Sequence, residues 1–403
     1  MSKKFNPFTE QIEIQYFVGR EEQLERFKED LDGLRQKVSN HQYIAGTNGT
    51  GKSSYLAKLS DVAKNQGFVP VLTSLDPADI PSRDMSRIHV TTIMRAIISQ
   101  LQAQLGNSAP LVADWDSKTN SKYFQTPRTE ELIGDLLKED FQKIEGLMTQ
   151  AQIPGAVVCI DEGQRINGRA LSALKNSLQF VKSYLLVLSL RLVTDAGGAI
   201  QAGRDMLDSK ATGEKAEGDI GASRFYVNGV AIGSFKDDQE AALCIRRRLD
   251  ENAVQFNDET IDRIGRIAGR VPKSMISLSN TVYVEAVNRQ KQLADVELLN
   301  RAFCSKYGKE ITDAKVLLTS VPPASWSKLA CLLELRQPAN AETIASRLYP
   351  TATPEMMSSL TTATKSDLER FCKNSSFCVL NDDKFEVPNP VHAYALELAL
   401  GKA

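Results

Sequence analysis

Gly46-Thr47-Asn48-Gly49-Thr50-Gly51-Lys52-Ser53 fits the pattern G-x-x-x-x-G-K-[ST] at every position. The spacing has a chemical reason. Glycines let the backbone curl until successive N–H groups point at one anion. Gly46, Thr47, Asn48, Gly49, Thr50 and Gly51 then form a phosphate cradle, and Lys52 reaches the β- and γ-phosphate oxygens of a bound ATP. The Ser53 hydroxyl is a ligand for Mg²⁺, with Ser54 beside it at the start of the next element. The flanks agree. Gln42–Ala45 reads as a short strand before the turn, and Ser53–Lys64 as a helix after it, stopped at Gln66-Gly67. The positive end of that helix faces the same anions.

Downstream, Val157-Val158-Cys159-Ile160 is a fully buried strand that ends in two carboxylates, Asp161 and Glu162. Carboxylates at such a position need a partner. Asp161 is a second Mg²⁺ ligand, and Glu162 polarises an attacking water. Other apolar runs fill in a sheet. Phe68–Leu72 reads as a strand, and Pro70, which cannot donate to a ladder, places it at a sheet edge. Tyr184–Leu190 is a third buried strand and Phe225–Ile232 another. Helices are expected at 20–34, 88–105 and 129–150 and around Ala202–Leu207, with an exposed loop at 106–128. Strands alternating with helices define an α/β fold with a parallel sheet.

The pattern changes after residue 236. Residues 237–307 read as helix throughout, with Asp237 or Asp238 capping one helix and Asn257 or Asp258 the next. Pro322-Pro323 marks a boundary. Beyond it lie helices at Ser325–Arg336, Ala341–Leu348 and Pro354–Phe371, the last capped by Thr353. A hairpin then pairs Phe377–Leu380 with Lys384–Val387. The expected domains are 1–236, 237–312 and 313–403.

Composition narrows the classes. With 403 residues, 42% hydrophobic and 25% charged, the chain suits a multidomain globular protein. A net charge of −1 excludes a dedicated nucleic-acid coat protein. The six cysteines form no Cys-x-x-Cys pair, and His41, His89 and His392 are not at ligand spacing, so neither a zinc site nor a disulfide scaffold is expected. No signal segment or membrane span is read, and the expected location is the cytoplasm.

Taken in order, the motifs resemble the AAA+ superfamily of P-loop ATPases, particularly its initiator-like clade (origin-recognition and archaeal initiator ATPases) and related bacterial ATPases. Phe17-Val18-Gly19-Arg20-Glu21 is similar to the family's N-terminal box, which implies adenine contact at Val18. Asp161-Glu162-Gly163-Gln164-Arg165 is similar to a D-E-x-Q-R variant found among related bacterial ATPases. The resemblance implies a polar sensor at the end of the Tyr184 strand, Ser189 with Thr194 as the other choice. It implies an arginine finger at Arg224, acting on nucleotide bound by a neighbouring subunit; otherwise Arg224 is a solvated residue at a strand start. It implies a second sensor in Gly269-Arg270-Val271-Pro272-Lys273, where Lys273 stands in place of the usual Arg and Arg270 lies three residues earlier. An all-helical lid and a C-terminal winged-helix domain complete the implied architecture.

The expected activity is hydrolysis of ATP with Mg²⁺, driving a switch that assembles on DNA or with a partner protein and associates with itself through Arg224. Residues 322–403 hold eight Lys/Arg and nine Asp/Glu, so the last module carries no general DNA footprint, although Lys365, Arg370, Lys373 and Lys384 can form a local patch. The other reading is a STAND-like signalling or defence ATPase whose winged helix packs on protein. A remodeller of protein clients ranks lower, because the chain offers no convincing pore-loop aromatic.

Overall fold

The computed structural model describes residues 6–9, 11–75, 85–106, 130–192, 196–212, 228–249, 252 and 254–402. They divide into two compact units. One is Gln11–Gly233; the other is Ser234–Ala403 together with the N-terminal residues 6–9.

The first unit is built on a five-stranded sheet. In chain order its strands are β1 (Gln42–Gly46), β2 (Val69–Ser74), β3 (Ala156–Asp161), β4 (Tyr184–Arg191) and β5 (Asn228–Ala231). Their spatial order is β2-β3-β4-β1-β5, and every pairing is parallel. Parallel neighbours need crossover connections, and helices provide them. These are α2 (Lys52–Asn65), α3 (Met85–Leu105), α4 (Glu130–Gln150), α5 (Gly168–Leu178) and α6 (Ala196–Thr212), while α1 (Glu21–Arg35) precedes the first strand. The edge position expected for the Pro70 strand is observed: β2 pairs only with β3, and Leu72 is exposed.

Alternation along the strands divides the core into two layers. Leu186, Leu188, Val158, Ile160, Tyr43 and Ala45 face one side, against Ile97, Leu137, Phe141 and Leu174. Leu185, Val187, Val157, Cys159 and Ile44 face the other, against Phe27, Leu31, Tyr55 and Leu59. Burying one such aliphatic side chain stabilises the fold by roughly 1.5–3 kcal/mol. Two of the large buried tyrosines satisfy their hydroxyls locally. Tyr184 donates to the Phe141 carbonyl at 3.0 Å, and Tyr43 to the Ile200 carbonyl at 2.8 Å, fixing α4 and α6 onto the sheet.

His41, just before β1, extends the ladder by a side-chain bond. Its Nδ1 accepts from the Leu186 amide of β4 at 3.0 Å. Burial pushes the imidazole down to about 4 from an ordinary 6.5. Between those two values the unfolded chain binds a proton that the folded chain does not, so stability rises with pH through this window. Stability is expected to be full above pH 6.5 and to fall by roughly 3 kcal/mol as the pH drops to about 4. Thermal melts across this range check it. His41→Gln, which keeps an acceptor for Leu186 but cannot titrate, should lose this part of the slope.

The second unit starts with α7 (Asp238–Leu249), α8 (Asp258–Ile267), α9 (Pro272–Asn288), α10 (Val296–Lys306) and α11 (Gly308–Thr319). Asp237 Oδ1 accepts from the Glu240 amide, and Asn257 Oδ1 from the Thr260 amide, so these two are the caps. The region is not purely helical: β6 (Gln255–Phe256) and β7 (Leu293–Ala294) form a short parallel pair. Two-residue strands have no periodicity by which a sequence could announce them. Then follow α12 (Trp326–Leu335), α13 (Ala341–Leu348) and α14 (Pro354–Asn374), with Thr353 capping α14. β8 (Val379–Asn381) and β9 (Lys384–Glu386) make the antiparallel hairpin, and Ala339 bridges to Phe385 as a third short pairing. A further helix, α15 (Pro390–Ala399), was not expected. It returns to the helices of 237–319, where Tyr394 stacks edge-on against Phe303 and its hydroxyl bonds Asn300. Among the described residues no single helix is long and apolar enough to cross a membrane.

Candidate nucleotide site

All five strands run the same way, so their C-terminal ends share one edge of the sheet. The loop 46–51 leaves β1 at that edge, and Lys52 begins α2. Gly49 and Gly51 have φ of 83° and 93°, a backbone that side chains rarely adopt. A Cβ on Gly46 would lie 2.2 Å from the Ile232 carbonyl oxygen, so only glycine lets this loop pass the end of β5. The Thr50 hydroxyl and the Lys52 ammonium both donate to the Thr47 carbonyl, at 3.0 and 2.7 Å. Lys52 thus lies folded over its own loop. Burial pushes its pKa down, Asp161 and Glu162 counter this, and Arg191 adds to it. Ser53 and Ser54 are partly exposed in the first turn of α2.

The acidic pair sits at the end of β3. In the strand order, only β4 separates β3 from β1, which sets the two ends about 10 Å apart. The Coulombic action of Asp161 and Glu162 on Lys52 follows from this arrangement. Asp161 Oδ1 accepts from the Glu162 amide at 2.9 Å, and Glu162 is left-handed, with φ of 54°. The Gln164 amide donates to Glu162 Oε2, while its own Oε1 accepts from the Arg191 amide at 2.9 Å. Arg165 Nε lies 3.6 Å from the same Glu162 oxygen. Gln164 and Arg165 therefore hold the Glu162 carboxylate from two sides and anchor it to the end of β4. Sequence reading recognised this pentapeptide only as a pattern and did not assign that task to Gln164.

The remaining expected residues fall into three groups. Val18 is buried beside Phe17, whose ring stacks on Tyr55 of α2 at 6.3 Å, so this segment lies against the helix that follows the phosphate loop. Ser189 is buried in β4 opposite Ile44, two residues short of the strand end, and its hydroxyl has no hydrogen-bond partner among the described residues. Arg191 is the residue level with Gly46. It follows Ser189 on the same side of the strand by alternation, it is exposed, and its positive charge acts on Lys52. The signal that could have found it is the strand length: the apolar run reaches Leu190, and one more residue meets the loop. Thr194 and Arg224 lie outside the described residues. Arg270 and Lys273 belong to the second unit. Arg270 donates to the Lys236 carbonyl at 3.1 Å, and Lys273 is exposed in the first turn of α9.

The donor set fits a magnesium nucleotide. Ser53 and Asp161 offer hard oxygen donors, and Mg²⁺ usually takes only one or two protein ligands beside phosphates and water. No cluster of three or more His, Cys, Asp or Glu competes as a metal site among the described residues. A parallel sheet with this loop and this acidic strand end defines a P-loop α/β nucleotide-binding fold.

Residues 16–188 match the AAA ATPase domain family. The chain is similar to the Walker-type ATPase PABY2304 of Pyrococcus abyssi, at 15% identity over 97% of this chain and 99% of that one, with a TM-score of 0.47. It is similar to the RuvB Holliday junction branch migration motor of Thermotoga maritima, at 14% identity over 96% and 98%, with a TM-score of 0.45. It is also similar to the Aeropyrum pernix ORC1 protein solved in complex with DNA, at 15% identity over 96% and 93%, with a TM-score of 0.41. No curated protein sequence matches the chain.

Proposed function

We propose that this chain is an ATP-binding and ATP-hydrolysing AAA+ switch whose nucleotide state controls its assembly on DNA or with a partner protein. One observation carries the reading: Lys52, which follows β1, and the Asp161–Glu162 pair, which ends β3, share one edge of one sheet with only β4 between their strands. In this reading Lys52 exchanges the Thr47 carbonyl for the β- and γ-phosphates of ATP. Loop amides 46–51 hold the remaining phosphate oxygens. Ser53 and Asp161 hold Mg²⁺, which neutralises phosphate charge. Glu162 orients the attacking water and accepts its proton. Arg191 is assigned to the terminal phosphate in place of Ser189, because it is the β4 residue level with Gly46. Arg224 from a neighbouring subunit and Lys273 and Arg270 from the helical lid belong to the same scheme.

The domain reading is an ATPase core to residue 236, a helical lid after it and a winged helix at the end, with the last junction moved to the turn at 320–322, after α11. Three helices, an antiparallel hairpin and the Ala339–Phe385 bridge support the winged helix. One observation favours protein over DNA as its partner. Lys365 of α14 is paired with Asp383 at the hairpin tip at 3.0 Å, and Lys328 with Asp367 at 3.3 Å. Cations already matched inside the module release few counterions from a phosphate backbone. This suits the STAND-like alternative, in which the module packs on protein.

The test is ATP turnover and sedimentation with ADP and with a slowly hydrolysed ATP analogue, with and without duplex DNA, across a salt series. A larger species with the analogue than with ADP is expected. Turnover raised by DNA, with a steep fall as salt increases, assigns assembly to DNA. No response to DNA at any salt assigns it to a protein partner. Absence of both nucleotide binding and turnover sinks the whole reading.

A further inference from the structure

Cys372 lies in the last full turn of α14, and Cys378 lies just before β8. Their sulfurs are 3.3 Å apart and share a hydrogen bond. The five residues between them form a tied turn. The Ser375 hydroxyl donates to the Phe371 carbonyl and accepts from the Phe377 amide, at 3.3 and 3.2 Å. Phe377 in turn stacks on the His392 ring, with centroids 4.1 Å apart and planes 8° from parallel. The turn is therefore fixed on both sides, and it aims the two sulfurs at each other. Cys372 is partly exposed, whereas Cys378 is 1% exposed.

We propose that Cys372 and Cys378 form a reversible oxidation site that a hydroperoxide converts into an intramolecular disulfide joining the end of α14 to the start of the hairpin. The inference is independent of the nucleotide reading. Closing the bond needs the sulfurs to approach by about 1.3 Å, to the usual 2.05 Å. That is within the reach of side-chain rotation at the end of a helix.

The chemistry follows from exposure. Its hydrogen bond with Cys378 holds the Cys372 thiol below its ordinary range, which favours the thiolate. The Cys372 thiolate attacks one peroxide oxygen. The O–O bond breaks, water or an alcohol departs after protonation, and Cys372 becomes a sulfenic acid. The Cys378 sulfur then attacks the Cys372 sulfur as its own proton leaves. The S–O bond breaks and water departs. Two thiols have lost two electrons, and the peroxide has gained them. A dithiol reductant reverses the step. Burial pushes the thiols of Cys159, Cys244 and Cys331 upward, and the Cys378 thiol is pushed up as well, by its hydrogen bond with Cys372 and by burial, so Cys372 is the sulfur that meets the peroxide and Cys378 serves only as the resolving sulfur already held against it.

The bond has a structural consequence. The Lys365–Asp383 pair already ties α14 to the tip of the hairpin. A covalent link at the other end would fix helix and hairpin to each other at both ends. Oxidation then sets how freely these two elements can adjust to a partner.

The experiment uses the full chain treated with hydrogen peroxide, then alkylated under denaturing conditions without reductant and mapped by mass spectrometry. Alkylatable thiols are expected to fall from six to four, with one peptide linking Cys372 to Cys378. Dithiothreitol should restore all six. Cys378→Ser should trap Cys372 as a sulfenic acid that reacts with dimedone, and Cys304→Ser should leave the linkage intact. A map in which Cys372 and Cys378 stay alkylatable while exposed Cys304 is oxidised overturns the proposal. So does a map in which Cys372 passes directly to sulfinic acid in the wild-type protein.

Discussion

Glu162→Gln is expected to bind ATP as tightly as the parent and to hydrolyse it about 10²–10⁴-fold more slowly. The substitution removes one negative charge and the ability to accept a proton, and it changes little else. Gln164 donates to Glu162 Oε2, and a glutamine at 162 still presents a carbonyl oxygen to that donor. The weaker loss is the Arg165 ion pair, which is partly exposed and contributes little. The local backbone and the Asp161 contact to residue 162 should therefore persist. The readout is single-turnover phosphate release beside equilibrium binding of a fluorescent ATP analogue. Normal hydrolysis by Glu162→Gln would remove Glu162 from the chemistry and leave Asp161 and the phosphate loop to be re-examined. Gln164→Ala separates a positioning role from a general one. It frees Glu162 from the end of β4 and should lower kcat with nucleotide affinity unchanged, as expected of a residue that only orients the base.

Much of the fold that carries this candidate site is legible in the sequence, for physical reasons. A strand buried on both faces must be apolar throughout, so β3 and β4 stood out as runs, and two carboxylates at the end of one of them had to mean something. Pro70 placed β2 at the edge because it lacks an amide hydrogen. The choice of Ser189 illustrates what sequence alone does not contain. Which β4 residue meets the phosphate loop depends on the register between β4 and β1, a property of tertiary pairing. The resemblance implies a polar residue at the end of this strand, Ser189 or Thr194, while the register sets Ser189 opposite Ile44 and Arg191 level with Gly46. The clamp made by Gln164 was hidden for a similar reason, since it joins residues 162 and 191 across two strands. By contrast α15 did carry a local signal: Asn389 as cap, Pro390 at the first helical position and an apolar stretch after it.

Lys52→Ala is expected to weaken ATP and ADP binding by about 10²-fold, the loss of a charge-assisted contact of roughly 2.7 kcal/mol. Stability without nucleotide should hardly change, and this makes the variant a clean test. Lys52 is a buried cation whose pKa burial pushes down, so removing it relieves a desolvation cost. The Thr47 carbonyl that it leaves keeps the Thr50 hydroxyl as donor at 3.0 Å, so no buried acceptor is orphaned. Melting temperature alone should therefore match the parent, while the rise in melting temperature on adding ATP with Mg²⁺ should disappear. A parent-like ATP shift would move the triphosphate elsewhere. Arg191→Ala provides the complementary result. Its backbone lies level with Gly46, and in the proposed scheme its guanidinium meets charge that ADP lacks and ATP carries. ADP affinity should stay within about twofold of the parent, while the preference for ATP over ADP falls about tenfold, the equivalent of one exposed charge-assisted hydrogen bond. Equal losses for both nucleotides would instead place Arg191 over the β-phosphate, next to Lys52, and leave the terminal phosphate to residues of another element.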